Sequence, residues 1–341
     1  MADLPMTGLM GASLLETASS DGRKIPHSVR ARHTYRGMRT AEHYFQVPLD
    51  HFSEAGRRGE TISVFAREYV STEHSEAEAA GLPWLLFLQG GPGGRGNRFP
   101  SLGGWSKAAA KDFRILMLDQ RGTGLSSPVD RNTLPLRGTD AEQADYLTHF
   151  RADSIVADAE AIRVALDSAP WTIYGQSYGG FCALSYLSFA PEGLREVLVT
   201  GGLAPLGGSA DRVYRATFQR VAARNAEYFD WYPEDRAIVT RIARHLRETE
   251  EVLPDGGRLT VERFQMVGSF LGGNTRVDAL HHLLEDAFVA TPGGDRLSDA
   301  FLEQVRGLQV WETGDFHHDG IADDGEAIFG RLLGMARSAR R

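Results

Sequence analysis

The segment Gly175-Gln176-Ser177-Tyr178-Gly179 sets a serine in a G-x-S-x-G frame. A serine hydroxyl is a weak nucleophile until three conditions hold: its oxygen stands clear of the backbone, a base can take its proton, and N–H groups await the oxyanion. The frame meets the first, because glycines two residues either side leave room for a sharp turn from strand to helix. It also supplies one donor, the amide of Tyr178, at the positive end of the helix that follows. The second donor must come from another segment. Gln89-Gly90-Gly91-Pro92-Gly93-Gly94 follows an apolar run and fits that need, with the N–H of Gly91 as the donor. A phosphate-cradling role for this loop would require a Gly-Lys-Ser/Thr ending, which it lacks.

The base is expected late in the chain. Leu308 to Glu312 reads as a strand and leads to Asp315-Phe316-His317-His318-Asp319-Gly320, where His318 can take the serine proton. The same His pair with its flanking aspartates could hold a metal instead, but neither a metal nor another cofactor is expected. His281 and His282 are adjacent on a helix, so their rings diverge, and they read as ordinary residues of that helix. Asp119-Gln120-Arg121-Gly122-Thr123-Gly124 follows another apolar run. An Asp and an Arg in a tight turn more often hold the turn than catalyse, so a structural role is expected there.

Positioning these groups requires a particular scaffold. Pro83 to Leu88, Phe113 to Leu118, Trp171 to Tyr174 and Val197 to Thr200 are apolar runs ending in turns, as strands of a parallel sheet do. Helical spacing over Ala152 to Asp167 and Tyr178 to Phe189 separates the later ones, so the expected class is α/β with a mostly parallel sheet. Tyr44, Phe45 and Val47, then Thr61 to Val70, read as a hairpin-like opening. Residues 1–40 lack periodicity and are expected to be a loosely packed leader. From Leu203 the texture is helical over 210–230, 233–250, 259–271, 276–289 and 297–306, with no convincing strand. The expected organisation is therefore a core of 41–202 and 307–341, with an all-helical cap at 203–306 and a terminal helix from about Asp324.

The 341-residue chain has a formal net charge of -8, with 42% hydrophobic and 24% charged residues. An acidic chain without a basic block is a poor match for nucleic acid or an anionic membrane surface. Its single cysteine, Cys182, can form no internal disulfide and reads as a small buried residue. The longest apolar run, Leu82 to Leu88, falls far short of the ~20 residues of a membrane helix. With no basic region before the weak apolar patch Met6 to Leu15, a secretory signal is not expected, and a cytoplasmic location is the default.

Taken together, the Gln89 loop, the Asp119 turn, Gly175-Gln176-Ser177-Tyr178-Gly179-Gly180-Phe181 and His318-Asp319-Gly320 resemble the proline iminopeptidase (prolyl aminopeptidase) family of α/β-hydrolases. The resemblance runs from about His43 into the helical region and resumes at the C-terminus. It implies an α/β-hydrolase core with a helical cap, and a serine peptidase releasing an N-terminal residue, usually proline, from short peptides with a free N-terminus. Ser177 would be nucleophile and His318 base. Such enzymes hold the substrate amine with cap carboxylates, for which Glu285 is the candidate. One departure stands out: the strand and turn that should carry the triad acid are not visible between Leu203 and Gly307, as though an internal segment were deleted. Asp295, Asp299, Asp315 and Asp319 are the substitutes within range, and Asp295, in a glycine-rich turn, is chosen. An esterase or amidase of the same fold, or a remnant that binds peptides without efficient turnover, are the other expectations.

Overall fold

The computed structural model describes residues 24–203, 207, 209–272 and 277–309. They divide near Pro205 into two compact units.

The first unit is built on a seven-stranded sheet: β1 (His27–Tyr35), β2 (Met38–Pro48), β3 (Thr61–Ser71), β4 (Trp84–Leu88), β5 (Arg114–Leu118), β6 (Trp171–Gln176) and β7 (Leu194–Thr200). Their order across the sheet is β1-β2-β3-β5-β4-β6-β7. Pairing is antiparallel from β1 through β3 to β5, and parallel among β5, β4, β6 and β7. The parallel half matches the expected class. Its central strand β4, Trp84–Leu88, is apolar and buried along its whole length because both faces are covered, whereas β7 at the edge carries Arg195 and Glu196. Leu86, Leu88, Leu116, Leu118 and Ile173 face one side, where α2 (Ala152–Ala165) and α3 (Tyr178–Phe189) bring Ile155, Ala159, Ile162, Cys182 and Tyr186. Leu85, Phe87, Ile115, Met117 and Tyr174 face the other, with Trp105 and Ala109 of α1 (Gly104–Ala109). Each fully buried Leu, Ile, Phe or Met among them contributes about 1.5–3 kcal/mol. Cys182 is buried here, as its sequence reading has it.

Chain order reverses at β4, which has β5 on one side and β6 on the other. In an open α/β sheet that is where the carboxyl ends of neighbouring strands part to leave a crevice. Leu88 is the register partner of Gly175, so the Gln89 loop and the Ser177 turn leave the sheet side by side.

Three expectations need correction. Residues 27–40 are not a loose leader: β1 and the start of β2 form a hairpin through Arg36 and Gly37, both at positive φ as a two-residue turn requires. Its sequence hid this because β1 is an exposed edge strand with few apolar side chains, ordered by its backbone ladder and by His27 stacking on Phe45. The cap segment is not all helical. Beside α4 (Ala210–Trp231), α5 (Asp235–Glu248), α6 (Val261–Gln265), α7 (Val277–Glu285) and α8 (Asp299–Gln309), it holds two small antiparallel pairs, β8 (Glu251–Val252) with β9 (Arg258–Leu259), and β10 (Phe288–Val289) with β11 (Arg296–Leu297). Strands of two residues are too short to leave a period-2 pattern. Finally, Leu308 and Gln309 close helix α8 rather than open a strand, and Gly307 does not break it. The periodicity of Phe301, Leu302 and Val305, buried in the second unit's own core with Ile242, Phe264 and Leu283, carries the helix on. Residues 307–309 therefore belong to that unit. No helix among the described residues is long and apolar enough to cross a membrane.

Candidate active site

Ser177 sits between β6 and α3 with φ 54° and ψ -119°, a conformation that a residue with a Cβ rarely adopts. Such a position costs about 1–3 kcal/mol and persists only where the surroundings enforce it. Here the enforcement is local: the Ser177 N–H donates to the Thr200 carbonyl at 2.9 Å, and the Ser177 carbonyl accepts from the Gly180 N–H at 2.9 Å. The side chain is exposed and makes no capping hydrogen bond to its own helix. Tyr178 is the first residue of α3, so its amide is one of the unpaired N–H groups at the positive end of the helix.

The Gln89 loop lies against this turn. A Cβ on Gly90 would stand 2.9 Å from the Ser177 Cβ and 3.4 Å from its Oγ, so only bare backbone fits. Gly91, at φ 124°, continues the loop in a region open to glycine. The loop is anchored at its base, where Gln120 donates through Nε2 to the Gln89 carbonyl at 3.1 Å and Gln89 reaches Asn97 at 3.0 Å. Gln120 of the Asp119 turn thus fixes the loop beside the serine, a link that sequence reading did not draw.

The phenol of Tyr178 is paired with the Cys182 thiol one turn along α3. Burial pushes both up to about 12, the phenol further helped by the neighbouring thiol, so both stay protonated and neutral through the physiological range.

Asp119 and Arg121 hold structure, as expected. The Asp119 carboxylate is fully buried and takes a two-pronged contact from Arg98 at 2.9 and 2.6 Å and the amides of Gly96 and Leu125 at 3.0 and 2.9 Å. Arg121 donates to Asp158 at 2.7 and 2.5 Å and to the carbonyls of Leu49, His149 and Pro48. His51 completes the Asp158 shell at 2.7 Å. Asp158 was missed in the sequence. Its signal was an acid on the apolar face of an amphipathic helix, between Ala157 and Ala159.

Two further sequence candidates lie in the second unit. Glu285 ends α7 with its side chain 55% exposed, 3.5 Å from His281 Nε2. His281 is not an incidental helix residue. Its Nδ1 meets the buried Asp235 at 3.0 Å, and its ring stacks on Tyr232 at 4.1 Å. Asp235 also accepts from the Tyr228 hydroxyl. Asp295 precedes β11 and pairs with Arg241, whose guanidinium lies 3.8 Å over the Phe288 ring. Asp299 opens α8. His317, His318, Asp315 and Asp319, with the metal reading of that pair, lie outside the described residues. Among the described residues the structure brings together Ser177, Tyr178 and the Gly90–Gly91 backbone.

A parallel sheet with a strained serine turn at its switch point defines a class. Residues 83–257 match the alpha/beta hydrolase fold family, and the chain belongs to that family. Within it, the chain is similar to a proline iminopeptidase of Aeromonas sobria, 49% identical over 278 residues that make up 81% of this chain and 63% of the relative. A proline iminopeptidase of Aspergillus aculeatus is 40% identical over 72% of this chain and 55% of its own length. A tripeptidyl aminopeptidase of Streptomyces coelicolor is 25% identical over 62% of this chain and 43% of its own. The family relationship read from the motifs is the one these matches show. The chain spans roughly six tenths of the length of the first two relatives.

Proposed function

We propose that the protein is a serine aminopeptidase that releases an N-terminal residue, proline by preference, from short peptides. The observation that carries this reading is the conformation of Ser177, held strained and exposed at the sheet's switch point with glycine backbone against it. The names of its relatives supply the substrate class. In the reaction, the Ser177 Oγ attacks the scissile carbonyl while His318 takes the hydroxyl proton. The carbonyl oxygen becomes an oxyanion between the N–H groups of Tyr178 and Gly91. Collapse expels the peptide amine, which takes the proton back from His318 and leaves an acyl ester on Ser177. Water, deprotonated by His318, then releases the amino acid and restores the serine. Asp295 is assigned as the carboxylate that orients His318. Glu285 is assigned to the substrate's ammonium group.

The place of Asp295, before a two-residue strand of the second unit and not after a strand of the seven-stranded sheet, favours a second reading, a protein with the nucleophile but little turnover, because an unoriented His costs such an enzyme about 10⁴ in rate. One set of measurements separates them. A fluorophosphonate should add once to the protein and not to Ser177→Ala, by intact mass. Prolyl anilide hydrolysis that is lost in Ser177→Ala and in Asp295→Ala, with the N-acetylated substrate poor, supports the peptidase. An adduct without turnover supports the second reading, and an adduct that survives Ser177→Ala overturns both.

A further inference from the structure

In the second unit, His281 and Glu285 stand one turn apart on α7, with the imidazole Nε2 3.5 Å from the Glu285 Oε1. That separation lies beyond the ~2.7–3.2 Å of an N–H···O hydrogen bond. Other described histidines close up on their carboxylates: His51 meets Asp158 at 2.7 Å and His245 meets Glu251 at 2.6 Å. The opposite ring nitrogen of His281 is engaged from below. The buried Asp235 carboxylate, which also accepts from the Tyr228 hydroxyl, faces Nδ1 at 3.0 and 3.1 Å. An imidazole that donates Nδ1–H to a carboxylate presents a bare lone pair at Nε2. Two electron-rich atoms, Nε2 and Oε1, then face each other across a gap that a cation fills. A proton would draw the pair to hydrogen-bond distance, as at His245 and Glu251, so the gap suits a larger ion.

Size and donor type narrow the occupant. Zinc bonds to imidazole nitrogen and carboxylate oxygen run about 2.0–2.2 Å, and at a tetrahedral angle they hold the two donor atoms about 3.3–3.5 Å apart. An octahedral magnesium ion asks for oxygen donors alone and brings them to about 3 Å. The nitrogen ligand is also prepared. Asp235 fixes its tautomer, as the carboxylate behind a zinc-bound histidine does. The ring stacks on Tyr232 with centroids 4.1 Å apart, and Tyr232 is held in turn by its hydroxyl bond to Asp278 at 2.5 Å. The Glu285 side chain, 55% exposed, is open to an arriving ion. Among the described residues no third His, Cys, Asp or Glu joins the pair, so solvent would complete the shell. Structural zinc sites are closed by four protein ligands, so this one would exchange its ion.

We propose that His281 and Glu285 form an exchangeable zinc site, with Asp235 as the positioning residue behind the histidine. The consequence for turnover rests on the reading of Glu285 given above. A carboxylate that coordinates zinc no longer receives the substrate's ammonium group, so the ion competes with substrate. Binding of the ion does not depend on that reading.

The probe is zinc chloride alone, titrated by calorimetry into the full-length, tag-free chain. Wild type should take up one more equivalent than His281→Gln. Affinity at that site should fall at least tenfold in Glu285→Gln, a change at an exposed position, and about 10–100-fold in Asp235→Asn, as loss of the carboxylate behind a metal-bound histidine does. His282→Gln should bind as wild type does. In long-range proton–nitrogen NMR spectra zinc should shift His281 Nε2 while Nδ1 keeps its proton. No uptake, or the same stoichiometry and affinity in wild type, His281→Gln and Glu285→Gln, overturns the proposal. Prolyl anilide hydrolysis then tests the consequence: zinc should raise KM without lowering kcat, and His281→Gln should lose that increase. Uptake at His281 with KM unmoved keeps the zinc site and removes Glu285 from the substrate amine. Absence of uptake removes the zinc site and leaves the reading of Glu285 standing.

Discussion

The turns after β5 and β6 are both glycine-rich and both leave the carboxyl end of a central strand, yet the structure uses them in opposite ways. After β5, Asp119 and Arg121 are buried and their polar atoms meet partners on every side. After β6, Ser177 is exposed, its backbone is strained, and among the described residues its hydroxyl has no hydrogen-bond partner. A polar group whose capacity is filled contributes to folding and has nothing left to offer a substrate. An unfilled group held at an energetic cost is one that can react. The difference is therefore testable as stability against reactivity.

The largest effect should come from the filled side. In Asp158→Ala the Arg121 guanidinium and His51 lose their shared carboxylate inside the core, and breaking a buried pair in this way costs about 3–5 kcal/mol. Urea denaturation should show that loss as a lower midpoint with an unchanged slope. Acid dependence adds a second readout. Burial alone would raise the Asp158 carboxyl, but Arg121, and then His51, outweigh it and hold the group below its ordinary 3.8. The carboxylate's stabilisation is then present above that value and lost as the pH falls below it toward the folded-state value. A wild-type loss below pH 4 no steeper than that of Asp158→Asn would show that the pair is not what distinguishes this turn.

The opposite sign is expected at the serine. Ser177→Gly removes the Cβ that makes φ 54° costly and should raise stability by about 1–2 kcal/mol while abolishing fluorophosphonate labelling. A variant no more stable than wild type would mean that the turn carries no strain, and the contrast between the two turns would collapse to one of exposure alone.

Much of this contrast was legible beforehand, for identifiable reasons. Continuous apolar runs fixed β4 to β7, and the glycine spacing around Ser177 announced the turn, because a strained backbone restricts which residues can flank it. Helix α3 begins and ends where its periodicity placed it, at Tyr178 and Phe189. The Asp119 turn was recognised as structural, but its partners Arg98 and Asp158 were not, since ion pairs 21 and 37 residues apart in sequence leave no local pattern. The edge strand β1 was hidden by its polarity. The small pairs β8–β9 and β10–β11 were hidden by their length. His281 looked idle because its partner Asp235, 46 residues away, is visible only in three dimensions.

The smallest effect concerns a second filled network, at the sheet's edge. His27 Nε2 meets His43 Nδ1 at 2.9 Å, His43 Nε2 meets Glu68 at 3.1 Å, and Arg114 closes the chain on Glu68 at 2.7 Å. Burial against Phe45, and then the proximity of His43, hold the His27 imidazole below its ordinary 6.5. The unfolded chain therefore binds this proton more readily than the folded one. Between the folded value and 6.5 the unfolded state carries more protons, so stability rises with pH there. The contribution is fully present above pH 6.5 and is lost as the pH falls below it. Because His27 lies on the exposed edge strand, solvent screens the effect, which should appear as local opening rather than global unfolding. Hydrogen exchange corrected for intrinsic rates should show β1 amides near Val29 losing protection between pH 7.5 and 5.5 relative to those of β6. His27→Gln keeps a donor toward His43 but does not titrate, so it should erase the difference. Equal pH dependence in β1 and β6, or a difference that survives His27→Gln, would remove this histidine from the account and leave the Arg121 network as the tested case of a filled polar site.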